Sequence, residues 1–295
     1  MVFSGILNAQ EMKVSVGSLQ HFPNFKSKYT TERNVDVWLP DGYSDKEKYS
    51  VLYMHDGQML FDAATTWNHQ EWKVDETAAR LMAEGKTQKF IVVAISSIAR
   101  IRHDDYFPHK AFELLTAKFQ DSLYQLGKDK VPYFGGLVNS DNYLKFIVKE
   151  VKPFIDHTFS VKTDREHTFV MGSSMGGLIS MYAICEYPNV FGGAACLSTH
   201  WTGIYSTTNN PIPAAFMNYL KRNLPSGMTH RIYFDYSDKT LDALYQDYQP
   251  QVDNIMRAKG YGSENWITKK FPGDEHSEVS WAARLHIPLE FLLSQ

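Results

Sequence analysis

Apolar residues along this chain fall into two patterns that take turns. Runs that are apolar almost throughout, YSVLYMH (49–55), KFIVVAI (89–95), HTFVMG (167–172) and FGGAACLS (191–198), predict strands covered on both faces, as in parallel sheets. RIYFDY (231–236) and WITKKF (266–271) extend the series, and NVDVWL (34–39) alternates before the turn signal Pro40-Asp41-Gly42. Between these runs the apolar positions take a helical spacing over 71–83, 141–157, 178–187, 213–222, 241–259 and 277–293. Asp141 and Ser277 are suited to cap two of the helices, and Gly260 to stop a third. Strand and helix alternating over this length predict a single doubly wound α/β domain, its central sheet mostly parallel with helices on both faces.

Two stretches break the rhythm. Residues 102–137 are too long for an ordinary connection, and THWTGIYSTTNN (199–210) is polar and aromatic. Both are expected to project as loops, the usual source of a pocket wall. RHDDYFPH (102–109), rich in imidazole and carboxylate, reads as a solvated charged loop rather than a metal site. Residues 1–10, MVFSGILNAQ, fit either an N-terminal strand or the remnant of a signal peptide, with the domain running over 11–295. A remnant would imply a periplasmic or secreted protein, a strand a cytoplasmic one.

Composition narrows the classes of function. The 295 residues are 43% hydrophobic, enough for a large core, and the net charge of −3 is well mixed along the chain. Neither a basic face for nucleic acid nor a membrane-spanning apolar run is visible. Cys185 and Cys196 lie in apolar surroundings and read as buried free thiols. No metal or cofactor is expected, and oligomeric state is not legible.

The chemistry concentrates in TFVMGSSMGGLIS (168–180). Gly172-Ser173-Ser174-Met175-Gly176 matches G-x-S-x-G, a common match by itself, but here an apolar strand stops and a helix starts around it. Glycines on both sides would let the chain bend sharply and present the Ser174 hydroxyl at the carboxyl end of the sheet. A serine needs a base to become a nucleophile, and in such a fold an acid and then a histidine follow it in sequence. His276, in the loop PGDEHSEVSW after the last predicted strand, has that placement among 11 histidines; His200 comes too early, and His230 and His286 read as structural or surface residues. SDKTLD (237–242) offers Asp238 and Asp242 as the acid, with Asp242 favoured. Oxyanion donors are expected at the backbone N–H of Met175 and, from the loop MHDGQMLFD (54–62), at that of Gln58. Trp201 is the substrate contact chosen among the aromatic candidates Trp67, Tyr106, Trp201 and Tyr205.

LYMHDGQMLFD, GSSMGGLISMYAICEYPNVFGGAACLS, YFDYSDKTLDALY and FPGDEHSEVSWAARL together resemble the esterase branch of the α/β-hydrolase superfamily. That branch includes enterochelin-esterase-like proteins and the feruloyl and acetyl-xylan esterases of carbohydrate esterase family one. The resemblance covers roughly residues 30–293. It implies a serine esterase with Ser174 as nucleophile, His276 as base, Asp242 as acid, and oxyanion donors at Gln58 and Met175. Ser237 stands where relatives carry glycine, which bears on the geometry of the acid loop. The expected substrate is a small-molecule or carbohydrate-linked ester, an acyl ester of a carbohydrate or phenolic acid. The alternatives are acyl transfer at the same site, or hydrolysis of siderophore esters or thioesters.

Overall fold

A computed structural model describes residues 12–128 and 132–294; the question posed by residues 1–10 lies outside them. Eight strands form one sheet: β1 (Ser18–Phe25), β2 (Arg33–Leu39), β3 (Ser50–His55), β4 (Phe90–Ile95), β5 (Thr168–Ser173), β6 (Gly193–Leu197), β7 (Arg231–Ser237) and β8 (Trp266–Phe271). Their spatial order is β1-β2-β4-β3-β5-β6-β7-β8. β2 runs antiparallel to both its neighbours, and every pair from β4 to β8 is parallel.

The central strands read as continuous apolar runs because both faces are covered. Val51 and Tyr53 pack into one core, and Leu52 and Met54 into the other. This is the two-residue period of a strand expressed in three dimensions. Both cysteines are buried free thiols. No helix among the described residues is long and apolar enough to cross a membrane.

The helices differ from their sequence pattern where proline intervenes. The expected helix over 141–157 is Ser140–Phe146 and Lys152–Thr158 joined by one wider turn, Ile147–Val151. Pro153 has no N–H to donate, which removes one rung of the ladder beside that turn. Residues 241–259 likewise resolve into a 3₁₀ turn, Thr240–Tyr245, and a helix, Gln249–Ala258, which Pro250 opens. The last pattern divides into Glu278–Arg284 and His286–Leu293. Ser277 caps the first of these by accepting from the Ser280 N–H, and Gly260 stops its own helix at φ +83°. Asp141 is not a cap: Asn139 holds that position, and the Asp141 carboxylate accepts from the Tyr182 hydroxyl at 2.5 Å.

RHDDYFPH is not a solvated loop. It forms the short helix Arg102–Tyr106, with Asp104, Asp105 and Tyr106 buried. The Asp105 carboxylate accepts from Arg33 at 2.8 Å, and Arg102 grips Asp56 through two bonds of 2.7 Å each. Charges so paired can be buried where isolated ones could not.

Candidate active site

Ser174 joins β5 to the helix Met175–Glu186 at φ 58° and ψ −121°, a strained conformation for a residue with a side chain. The surroundings enforce it. A Cβ on Gly172 would sit 2.7 Å from the Gly176 carbonyl, and one on Gly177 would sit 2.9 Å from Thr199 Oγ1. Strand and helix can approach this closely only with glycine at both places. The Ser174 N–H donates to the Leu197 carbonyl of β6 at 2.9 Å, which ties the bend to the sheet.

Opposite the bend, His276 Nδ1 lies 2.6 Å from Asp242 Oδ1. The His276 backbone N–H donates to Thr240 Oγ1 at 2.8 Å, fixing the histidine loop to the turn that carries the acid. Asp242 is wholly buried, and its second oxygen accepts from the Ser237 N–H, the Ser237 hydroxyl and the Ser198 hydroxyl, each at 2.7 Å. Burial pulls its pKa upward, yet the hydrogen bonds and charge of His276 with the serine donors hold it below the usual aspartate value. Ser237 thus donates to the carboxylate twice, through its backbone N–H and its hydroxyl. Asp238 points elsewhere: its Oδ1 accepts from the Gly273 N–H at 2.8 Å.

Ser174, His276 and Gln58 line one cavity of about 500 Å³ at the carboxyl ends of the strands. Gln58 lies in the 3₁₀ turn Gly57–Met59 that follows β3, and Met175 opens the helix after Ser174. The first N–H groups of such turns have no partner within the element and remain available to a ligand. The loop before Gln58 is fixed from several sides. Asp56 adopts the left-handed region, is clamped by Arg102, and donates its N–H to the Tyr106 hydroxyl at 3.2 Å. The Gln58 side chain reaches away from the backbone to bond Ser97 at 2.8 and 3.0 Å.

The aromatic wall is not where Trp201 suggested. Trp201 is 1% exposed, donates to Gln249 Oε1 at 2.9 Å, and stacks near Phe234 in the core. Tyr106 is buried too. Trp67 and Tyr205, 82% and 61% exposed, line the cavity with Trp72 and Trp281. Trp281 holds the edge of the site: its ring meets His276 at 5.0 Å and its Nε1 donates to Ser198 Oγ at 2.9 Å. Sequence reasoning missed Ser198, Tyr245, Trp281 and Arg284, set His200 aside as too early in the chain, and noted Ser237 only for the geometry of the acid loop. A larger cavity of about 660 Å³, lined by Arg165, His230 and Arg231, opens at the amino ends of the strands, away from Ser174.

Comparisons with known proteins bear on the same framework. The family model described as "Putative esterase" matches residues 27–285. Among curated relatives, the uncharacterized protein YbbA of Bacillus subtilis is 27% identical over 171 residues, 57% of this chain and 58% of that protein. The endo-1,4-beta-xylanase/feruloyl esterase of Xylanibacter ruminicola is 25% identical over 92% of this chain, which spans only 31% of that protein. The chain therefore covers less than two thirds of the length of these relatives. The CE1 ferulic acid esterase of Anaeromyces mucronatus shares the fold, with a TM-score of 0.63 at 18% identity over 96% of this chain and 92% of that one. The sheet order, the bend at Ser174 and the span of the family match agree: this chain belongs to the esterase family.

Proposed function

We propose that the protein is a carboxylic-ester hydrolase working through an acyl-enzyme on Ser174. The observation that carries this reading is the Asp242–His276 pair, 2.6 Å apart, on the same cavity as the bend that presents Ser174. With Nδ1 bonded to the carboxylate, the imidazole keeps Nε2 free to take a proton. His276 takes the Ser174 proton as Oγ attacks the ester carbonyl, and the Gln58 and Met175 N–H groups receive the developing oxyanion. The protonated imidazole then gives its proton to the leaving alcohol, and water repeats the sequence on the acyl-enzyme. Asp242 stays ionised throughout and stabilises the imidazolium.

The substrate we propose is an acyl ester of a carbohydrate or of a phenolic acid. Two observations support it: Trp67 and Tyr205 offer exposed aromatic faces on the cavity, suited to stacking on a flat ring or a sugar face, and the names of the relatives above include feruloyl and ferulic acid esterases. The test is Ser174→Ala compared with the wild type on methyl ferulate, acetylated xylan and p-nitrophenyl acetate. Loss of cleavage by at least a thousandfold with the fold intact is expected; undiminished cleavage refutes the assignment.

A further inference from the structure

Asp242 and Tyr245 share the turn Thr240–Tyr245 at a spacing of three residues. In a 3₁₀ helix residues three apart eclipse, so both side chains leave on one face. That face is toward the site: the Tyr245 ring lies 6.1 Å from the His276 ring. Tyr245 is wholly buried, and its hydroxyl is 2.6 Å from His200 Nδ1. His200 is itself locked to the bend, since its backbone N–H donates to the Ser174 carbonyl at 3.2 Å.

The proton positions follow from what each group lacks. His200 is buried, and burial first, then the nearby His103, His276 and Arg102 charges, keeps its imidazole neutral. His200 Nε2 has no partner among the described residues. A buried N–H without an acceptor is costlier than a lone pair without a donor, so the proton belongs on Nδ1. Nδ1–H then donates to the Tyr245 oxygen, which leaves the Tyr245 O–H free for an acceptor on the side of the site.

We propose that Tyr245 is a further catalytic residue of the reaction above, donating a hydrogen bond to Ser174 Oγ, and that His200 positions it. The step balances without a new proton transfer. The Ser174 proton passes to His276 and back, while Tyr245 keeps its own, because burial makes its hydroxyl a weak acid. The bond would hold Oγ in line between His276 and the incoming carbonyl carbon. It would also stabilise negative charge on Oγ as the acyl bond forms and, in the second half of the reaction, as it breaks.

This inference rests on the serine-hydrolase reading, and the test separates the two. Single-turnover release of p-nitrophenol from a p-nitrophenyl alkylphosphonate counts competent sites by its amplitude and reports nucleophilicity by its rate. Wild type should react once per chain and Ser174→Ala not at all; a wild type that fails to react overturns both readings. Tyr245→Phe and His200→Leu should each keep the amplitude and slow the rate by about tenfold to a hundredfold, the range for losing a donor to a developing charge. The double variant should be no slower than the slower single one, because the two act as one unit. His200→Asn, which keeps a donor near the Nδ1 position, should restore most of the rate. A wild-type rate in Tyr245→Phe, a faster one, or multiplicative losses in the double variant would overturn this inference alone.

Discussion

Ser198 Oγ donates to Asp242 Oδ2 at 2.7 Å while accepting from Trp281 Nε1 at 2.9 Å and from Arg284 Nη2 at 3.0 Å. One hydroxyl thus links the acid of the site to the aromatic that packs on His276 and to a buried guanidinium. Arg284 is in turn paired with Asp235 at 3.0 Å. Ser198→Ala would leave the Trp281 N–H and one Arg284 N–H without an acceptor and remove one donor from Asp242. The cost of such orphaned groups is about 1–3 kcal/mol. Urea unfolding should show a loss in that range, and kcat should fall several-fold. Ser237→Ala, which keeps the backbone N–H donor to Asp242, should cost less, about 1 kcal/mol. Equal effects of the two substitutions would show that the Trp281 and Arg284 bonds contribute nothing.

The two aspartates near the turn should separate by function. Asp242→Asn leaves a side chain of the same shape that cannot stabilise an imidazolium, and turnover should drop by roughly a thousandfold to ten-thousandfold. Asp238→Asn removes only a charge from an acceptor of the Gly273 N–H and should leave kcat within about twofold, as expected for a half-buried turn group that does not touch His276. Steady-state rates on p-nitrophenyl acetate decide the matter. A severe loss in Asp238→Asn with an active Asp242→Asn would reverse the assignment of the acid.

The parts legible in the sequence are those set by neighbours along the chain. Four continuous apolar runs announced central strands because coverage on both faces leaves no polar side, and shorter or alternating runs announced β2, β7 and β8. The bend at Ser174 was legible because its glycines sit within five positions of the serine. β1 escaped notice: SLQHFPNF is half polar, contains Pro23, and lies at the edge of the sheet, where one side needs no apolar cover. Burial of charge was illegible for a different reason. Asp105 and Arg102 read as solvated because their partners, Arg33 and Asp56, come from distant positions. Trp201 looked like a contact because it follows a strand on the site's side, but its N–H is satisfied by Gln249, 48 residues on. The bond between Tyr245 and His200 was hidden likewise, since it spans 45 positions.

Trp67 and Trp201 should respond in opposite ways to truncation. Trp67 is 82% exposed, so Trp67→Ala should leave the unfolding midpoint within about 0.5 kcal/mol of wild type. If it stacks on the substrate, KM for methyl ferulate or a feruloylated sugar should rise about tenfold, with p-nitrophenyl acetate unaffected. Trp201→Ala should instead lose about 3–5 kcal/mol, the usual cost of emptying a buried tryptophan site. Unchanged KM values for every ester in Trp67→Ala would remove the aromatic platform from the substrate model.

Asp104 gives the stability of the protein a pH dependence of predictable sign. Its carboxyl is buried and pushed up to about 6, first by burial and then by the charge of Asp105, against the pull of the Gly135 and Gly136 N–H groups. In the unfolded chain an aspartate titrates near 3.9. The folded protein therefore binds this proton more tightly. The resulting contribution is fully present below about pH 4 and is lost as pH rises through about 6. Asp104→Asn mimics the protonated acid and keeps an acceptor for Gly135. Above pH 7 the variant should be more stable than wild type by about 1–2 kcal/mol, and the difference should close toward pH 4. Urea midpoints measured across that range read the effect directly. A gap that stays constant with pH, or that favours wild type at pH 7.5, would mean that Asp104 is ionised in the folded protein at little cost.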